Sequence, residues 1–303
     1  MIKFLKIFLT ITLLIGLIFG GKSVYDKLMG EKDYDEARML LSTPKKTTAP
    51  AAEPTAVPAA VVTDEALIAD ADFKEEDMNT GSSIENTSAQ SAAGTEETDA
   101  HSDPVVNELL TYNLDALREV NPDVFGWLHI PGTRISYPLV KGEDNDFYLN
   151  HTWKKEANTV GSIFLEAQNK ADMTDFNTII YGHNMDNNSM FRDLLKFDNL
   201  KFMKENPSAY VVTDNGVYRY DFFSAHKASV KSITYAMDVQ TDRKKNEVIQ
   251  FNLNYADVKT DYVPTVDDQL LTLSTCSRYG QTVRWVVVGV FNAEGSCLVE
   301  PLK

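Results

Sequence analysis

TLSTCSRYGQTVRWVVVGV, residues 272–290, is the stretch whose reading decides how this chain folds. Thr272–Thr275 and Arg284–Val290 are rich in β-branched residues, and SRYGQ between them has the composition of a turn. The stretch therefore reads as strand, turn, strand. Antiparallel pairing puts Cys276 at the end of one strand and Arg284 at the start of its neighbour. Apolar runs flank both residues, which places the pair at the rim of a packed sheet. A thiol beside a fixed positive charge has a lowered pKa and becomes a nucleophile.

Working outward, further strands are expected at 126–130, 134–140, 160–165, 177–182, 209–213, 217–226, 269–275 and 284–292. Short strands punctuated by Pro-Gly and Gly-Glu-Asp-Asn turns point to a mainly β domain, a closed barrel or a sandwich. One helix is expected to open it, from Pro104 through Val106, Leu109, Leu110, Leu114 and Leu117 until Asn121-Pro122 stops it. Two helical inserts interrupt the strands, at 189–205 and at 242–256, the second capped by Thr241 or Asp242. Residues 104–303 are long enough for one sizeable core.

The N-terminus differs in kind. Lys3 and Lys6 precede an uncharged run from Ile7 to Gly21, and Lys22 closes it. The run is short for a membrane span, but Phe4, Leu5 and snorkelling lysines lengthen it, and no small-residue cleavage site follows. Residues 1–23 are thus expected to be an uncleaved anchor that meets the bilayer through residues 4–21. The basic flank predicts a cytoplasmic N-terminus and an extracytoplasmic remainder. Residues 24–103 read as a linker, with a short helix over 24–41 followed by largely disordered chain. Residues 44–103 carry 13 acidic and 3 basic side chains and a single aromatic, Phe73, too little apolar surface to offset ordering entropy. The net charge of −15 excludes nucleic acid as a partner, because phosphate binding needs clustered Lys and Arg.

The chain has two cysteines, Cys276 and Cys297. With antiparallel strands they fall at opposite sheet ends, roughly 20–25 Å apart at about 3.3 Å per strand residue. A disulfide needs Cα atoms within about 7 Å, so Cys276 is read as a free thiol. Among the five histidines, His101 lies in the linker, His129 at an ordinary strand position, and His151 and His226 after aromatic-rich segments. His183 follows the apolar run NTIIYG and precedes the loop NMDNN, so it ends a strand as Cys276 does. Arg278 competes with Arg284 as the cation beside the thiol, but it belongs to the turn. No His or Cys pair has metal-ligand spacing, and no cofactor motif is present.

TLSTC, the arginine of RWVVVG and the NTIIYGHNM segment together resemble the signatures of sortases, in particular the class B branch. NPDVFGWLHIPGTRISYPLVKGEDNDFYLNH (121–151) is similar to the segment that opens class B catalytic domains, and the insert at 242–256 also fits. The resemblance implies a closed eight-stranded barrel and a transpeptidase on the outer face of a Gram-positive membrane. It implies Cys276 as nucleophile, His183 as general acid/base and Arg284 as oxyanion stabiliser, with Asn145, Leu149, Tyr181 and Ser274 lining the peptide groove. The implied partners are exported proteins bearing a C-terminal sorting signal cut after threonine, and an amine acceptor on a peptidoglycan precursor or a pilin.

Overall fold

The computed structural model describes residues 2–45, 102–277 and 280–299; for residues 2–19, 276, 277, 280 and 281 only the backbone path is described. Most of the expected linker, 46–101, and the Arg278 turn lie outside the described residues.

Nine strands form one sheet: β1 (Val124–His129), β2 (Ser136–Val140), β3 (Ile163–Leu165), β4 (Asn177–Gly182), β5 (Ser208–Thr213), β6 (Gly216–Ser229), β7 (Val258–Lys259), β8 (Leu270–Ser277) and β9 (Gly280–Leu298). Their order is β5-β1-β2-β3-β4-β8-β9-β6-β7, and β5 also pairs with β6. That last pairing closes eight strands into a barrel, which removes the edges an open sheet would expose. The two-residue β7 hangs outside on β6 through Ser224–Lys259 and Ala225–Val258. Eight strands match the expected ones. Val258-Lys259 is too short to leave a periodic signal, and β9 runs past the expected end at 292 to Leu298.

Two pairings are parallel, β2 with β3 and β4 with β8. Each needs a long crossover, and the second spans everything between Gly182 and Leu270. Bulges interrupt the β6–β9 pairing between Val217 and Arg219 and between Phe222 and Ser224. They increase the local twist that two such long strands need to wrap a barrel.

The expected opening helix is two helices, α2 (Pro104–Leu110) and α3 (Leu114–Arg118). Asn113 explains the break: its side-chain oxygen accepts from the Ala116 N–H and so starts a second helix. The insert at 189–205 likewise splits into a 3-10 segment, Phe191–Asp198, and α4 (Leu200–Glu205). Between them Asn199 accepts from the Lys201 and Phe202 N–H groups. The second insert is the single helix α5 (Asp242–Asn254), capped by the Thr241 hydroxyl, and it buries Val248, Ile249 and Leu253.

The N-terminal segment is one continuous helix, α1 (Ile2–Leu41). Its second half, read from sequence as a separate short helix in the linker, packs on the barrel with Tyr34, Ala37 and Leu41 buried. The Trp153 indole N–H donates to the Asp33 carbonyl at 2.9 Å, and the Asn158 amide donates to the Asp26 carbonyl at 2.9 Å. Residues 24–41 are thus part of the folded unit. The span expected over 4–21 falls largely on residues whose side chains are not described; among the described residues no helix is long and apolar enough to cross a membrane.

Trp127, Leu128, Tyr148, Trp153 and Phe164 anchor the barrel core, each 2% exposed or less. A second cluster under α5 joins Val248 and Ile249 to Phe223, Leu270, Val286 and Val288. Trp127 is fully buried on β1. Trp127→Ala is expected to lower unfolding stability by about 3–5 kcal/mol, the cost of an indole-sized cavity, read as a lower urea midpoint.

Candidate functional site

The register at one rim of the barrel assembles the site. On the parallel pair, Gly182 of β4 lies level with Thr275 of β8, so His183 and Cys276 are the next residues of adjacent strands. On the antiparallel pair, Cys276 of β8 lies directly opposite Arg284 of β9. Adjacent strands are about 4.8 Å apart, so three neighbouring backbones deliver the three residues to one end of the sheet. The Cys276 side chain itself lies outside the described residues. Cys297 sits at the far end of β9, paired with Val217, and is a free thiol.

His183 is half-buried and held through both its ring and its backbone. Its Nε2 lies 2.7 Å from the Leu149 carbonyl oxygen, and its own carbonyl accepts from the Phe191 N–H at 2.8 Å. A carbonyl can only accept, so Nε2 carries the ring proton of the neutral imidazole and Nδ1 is its acceptor nitrogen. The loop beyond it returns through the Asn184–Met190 bridge.

His183 and Arg284 line one cleft of about 370 Å³ with Asn145, Leu149, Tyr181 and Ser274. All four residues expected in the groove therefore face it, but with polar groups already engaged. The Ser274 hydroxyl is 1% exposed at residue level and bonded to the Tyr235 hydroxyl at 2.8 Å. The Asn145 amide donates to Glu166 at 2.8 Å and its oxygen accepts from the Ala167 N–H at 2.8 Å. Tyr181 donates to the same Glu166 oxygen at 2.9 Å. Val230, Tyr235 and Met237 also line the cleft. Among the described residues no group of three or more His, Cys, Asp or Glu side chains could hold a metal ion.

This geometry agrees with comparison to known proteins. Residues 128–292 match the sortase-domain family model. The chain belongs to the sortase family. It is 30% identical over 175 residues to sortase B of Staphylococcus aureus, covering 57% of this chain and 72% of that one. It is 33% identical over 175 residues to sortase B of Listeria monocytogenes, covering 56% and 70%. Among solved structures, a Staphylococcus aureus sortase B–substrate complex superposes with a TM-score of 0.56 at 30% identity, covering 59% of this chain and 83% of that one. Sortase B of Clostridium perfringens gives a TM-score of 0.56 at 30% identity, covering 59% of this chain and all of that one. The protein is a class B sortase, a cysteine transpeptidase.

Sequence reading missed Glu166 in this sortase. It is 5% exposed, follows β3 directly and lines the cleft. The signal was available, since Glu166 ends the apolar run IFL as His183 ends NTIIYG. Burial and the neighbouring Glu166 carboxylate push the Tyr181 hydroxyl far above its usual pKa, with Arg284 opposing them. Tyr181 therefore stays protonated and donates. Tyr181→Phe removes one of the two side-chain donors to Glu166 and is expected to cost about 1–3 kcal/mol of stability by chemical denaturation.

The remaining described histidines do other work. His129 is half-buried on β1 beside the Ser136 hydroxyl, and burial lowers its pKa. His151 stacks on Phe147 with ring centroids 4.0 Å apart. His226 is fully buried in a network with Ser224 and Thr234, and Thr234 in turn donates to Asn252 at 2.8 Å. Burial pushes His226 down to about 4, so folding favours its neutral form. The associated stability is fully present above the unfolded-state value near 6.5 and is lost as pH falls towards 4, about 3 kcal/mol in all. Unfolding midpoints between pH 7 and pH 4 are expected to show this slope in the parent and a shallower one in His226→Gln.

Proposed function

We propose that this sortase is a membrane-anchored transpeptidase that cuts a C-terminal sorting motif of exported proteins after threonine and passes the acyl group to an amine of a cell-wall precursor. The observation that carries this reading is the strand register that puts residues 183, 276 and 284 at one rim, beside a cleft that His183 and Arg284 line. Anchoring through residues 4–21 and an extracytoplasmic domain follow from the charge pattern of the N-terminus.

In the proposed reaction the Cys276 thiolate attacks the carbonyl carbon of the threonine. Arg284 stabilises the oxyanion, and as a guanidinium it keeps its charge when desolvated. Collapse of the tetrahedral intermediate breaks the C–N bond, and His183 gives its Nδ1 proton to the departing amine. The thioester then waits for a second amine, whose attack reverses these steps: His183 takes the proton and Cys276 leaves as thiolate. Water outnumbers any amine, so transfer over hydrolysis requires the acceptor to be held in place. Asn145, Leu149, Tyr181 and Ser274 shape the groove that holds the sorting peptide.

The test is to incubate the protein with threonine-containing pentapeptides, with and without amine acceptors, and to read the products by mass spectrometry. An acyl–amine ligation product is expected in the presence of glycine peptides; a lysine-bearing pilin segment serving better would mark a pilus-assembling enzyme. Hydrolysis alone under every acceptor would overturn transfer. Cys276→Ala is expected to abolish cleavage, and intact activity in that variant would overturn the mechanism. Arg284→Ala is expected to lower kcat by about 10²–10³, as for loss of an oxyanion donor. Arg284→Lys should recover only part of it, because an ammonium lacks the planar fork.

A further inference from the structure

Among its contacts with the barrel, helix α1 packs on the short turn Asn158–Ser162, and that turn carries the backbone against which His183 is held. Asp26, Gly30 and Tyr34 recur every fourth residue on one face of the helix and bracket it. The Asp26 carbonyl accepts from the Asn158 amide, and the Asp26 carboxylate accepts from Thr159 at 3.1 Å. Gly30 admits the Val160 side chain, which a Cβ there would meet at 2.9 Å. The Tyr34 hydroxyl, in a side chain 2% exposed, donates to the Gly161 carbonyl at 2.5 Å.

Gly161 has φ +63, a left-handed conformation that favours glycine. A Cβ there would lie 2.6 Å from the Leu149 carbonyl oxygen, 2.9 Å from the Tyr148 carbonyl oxygen and 2.9 Å from Cδ2 of His183. The Gly161 backbone is therefore packed against both the imidazole edge and the carbonyl that fixes its tautomer. The next residue ties in as well, its N–H donating to the Tyr148 carbonyl at 2.9 Å.

We infer that α1 is a working part of the active site, and that Tyr34 is a positioning residue which holds the Gly161 turn and, through it, the tautomer and orientation of His183. This rests on the proposed acid/base role of His183. Tyr34 is not among the residues that line the cleft, so its loss is expected to act on proton transfer and leave peptide binding alone. A helix that only stabilised the fold would leave the imidazole unaffected.

The experiment uses the full chain in mild detergent and two readouts: steady-state kinetics on a cleaved pentapeptide, and imidazole ¹⁵N shifts of His183 assigned against His183→Ala. Tyr34→Phe keeps the ring, whose edge-to-face contact with Tyr137 has a centroid distance of 5.1 Å. It is expected to lower kcat about tenfold at unchanged KM, the lower end of the loss when a hydrogen bond that orients a reactive ligand is removed. The His183 shifts should move from the Nε2–H tautomer towards a mixture of both. Lys154→Met removes ion pairs to Asp33 and Glu36 at the same interface, away from the turn. It is expected to lower the melting temperature while leaving kcat and the imidazole shifts at parent values. Unchanged shifts in Tyr34→Phe would overturn the inference whether or not the parent cleaves peptide. So would a matching change in Lys154→Met, because generic loosening of the helix would then explain both. A parent with the expected shifts but no cleavage of any peptide would instead count against the proposed function alone.

Discussion

The parallel pairing of β4 with β8, with Gly182 level with Thr275, is the constraint on which the rest of the site depends. Side chains alternate along a strand, so a slip of one residue would turn every partner to the other face. The register is held from both sides. Across the sheet, the Thr272 hydroxyl donates to the Asn177 side-chain oxygen at 2.7 Å, and both residues are buried. The Asn177 amide continues to the Thr234 carbonyl at 2.9 Å. Losing either partner would strand a buried polar group, which costs more than the bond contributes. The same amide thus ties the start of β4, at the end of the strand away from His183, to the short 3-10 turn Ile233–Tyr235, whose Tyr235 lines the cleft.

Long-range placement of this kind explains what sequence does and does not reveal. The β8–β9 hairpin was legible because turn and strands are contiguous, and the facing of Cys276 and Arg284 follows from its register alone. The meeting of His183 with that hairpin was not legible from periodicity. It needs a crossover from Gly182 to Leu270 that no local pattern encodes, and the family resemblance supplied it. Helix breaks at Thr111–Asn113 and at Asn199 were hidden because the apolar spacing runs through both. The decisive signal is a single Asn that competes for backbone N–H groups. The strand-end position of Glu166 was legible but its burial was not: an acidic residue after a strand usually marks a solvated turn, and only contact with Asn145 and Tyr181 makes it part of a wall.

The reach of α1 into the fold was the least visible feature. A helix that begins as an apolar run and ends beside a polar linker reads as two objects, a span and a spacer. What joins them is tertiary. Tyr34 and Asp33 are polar groups on the barrel-facing side, and each finds its partner more than a hundred residues along the chain. Burial pushes the Asp33 carboxyl up, while the Lys154 ammonium opposes that shift. Such a pair contributes more to fixing where the helix docks than to net stability, because its desolvation offsets much of its attraction.

The walls of the cleft carry a consequence for recognition. Tyr181 and Asn145 each donate a hydrogen to Glu166, and one hydrogen joins the hydroxyls of Ser274 and Tyr235. Two stacked rings, Tyr181 and Tyr235, with centroids 6.4 Å apart, line the cleft together with Leu149. Rings held by their hydroxyls cannot rotate away, so the groove loses little side-chain entropy on binding. A groove that is already ordered leaves the free energy of peptide binding for orienting the scissile carbonyl. In the proposed reaction the Arg284 guanidinium meets its opposite charge only as the oxygen becomes an anion, so the gain falls on the transition state rather than on the bound peptide.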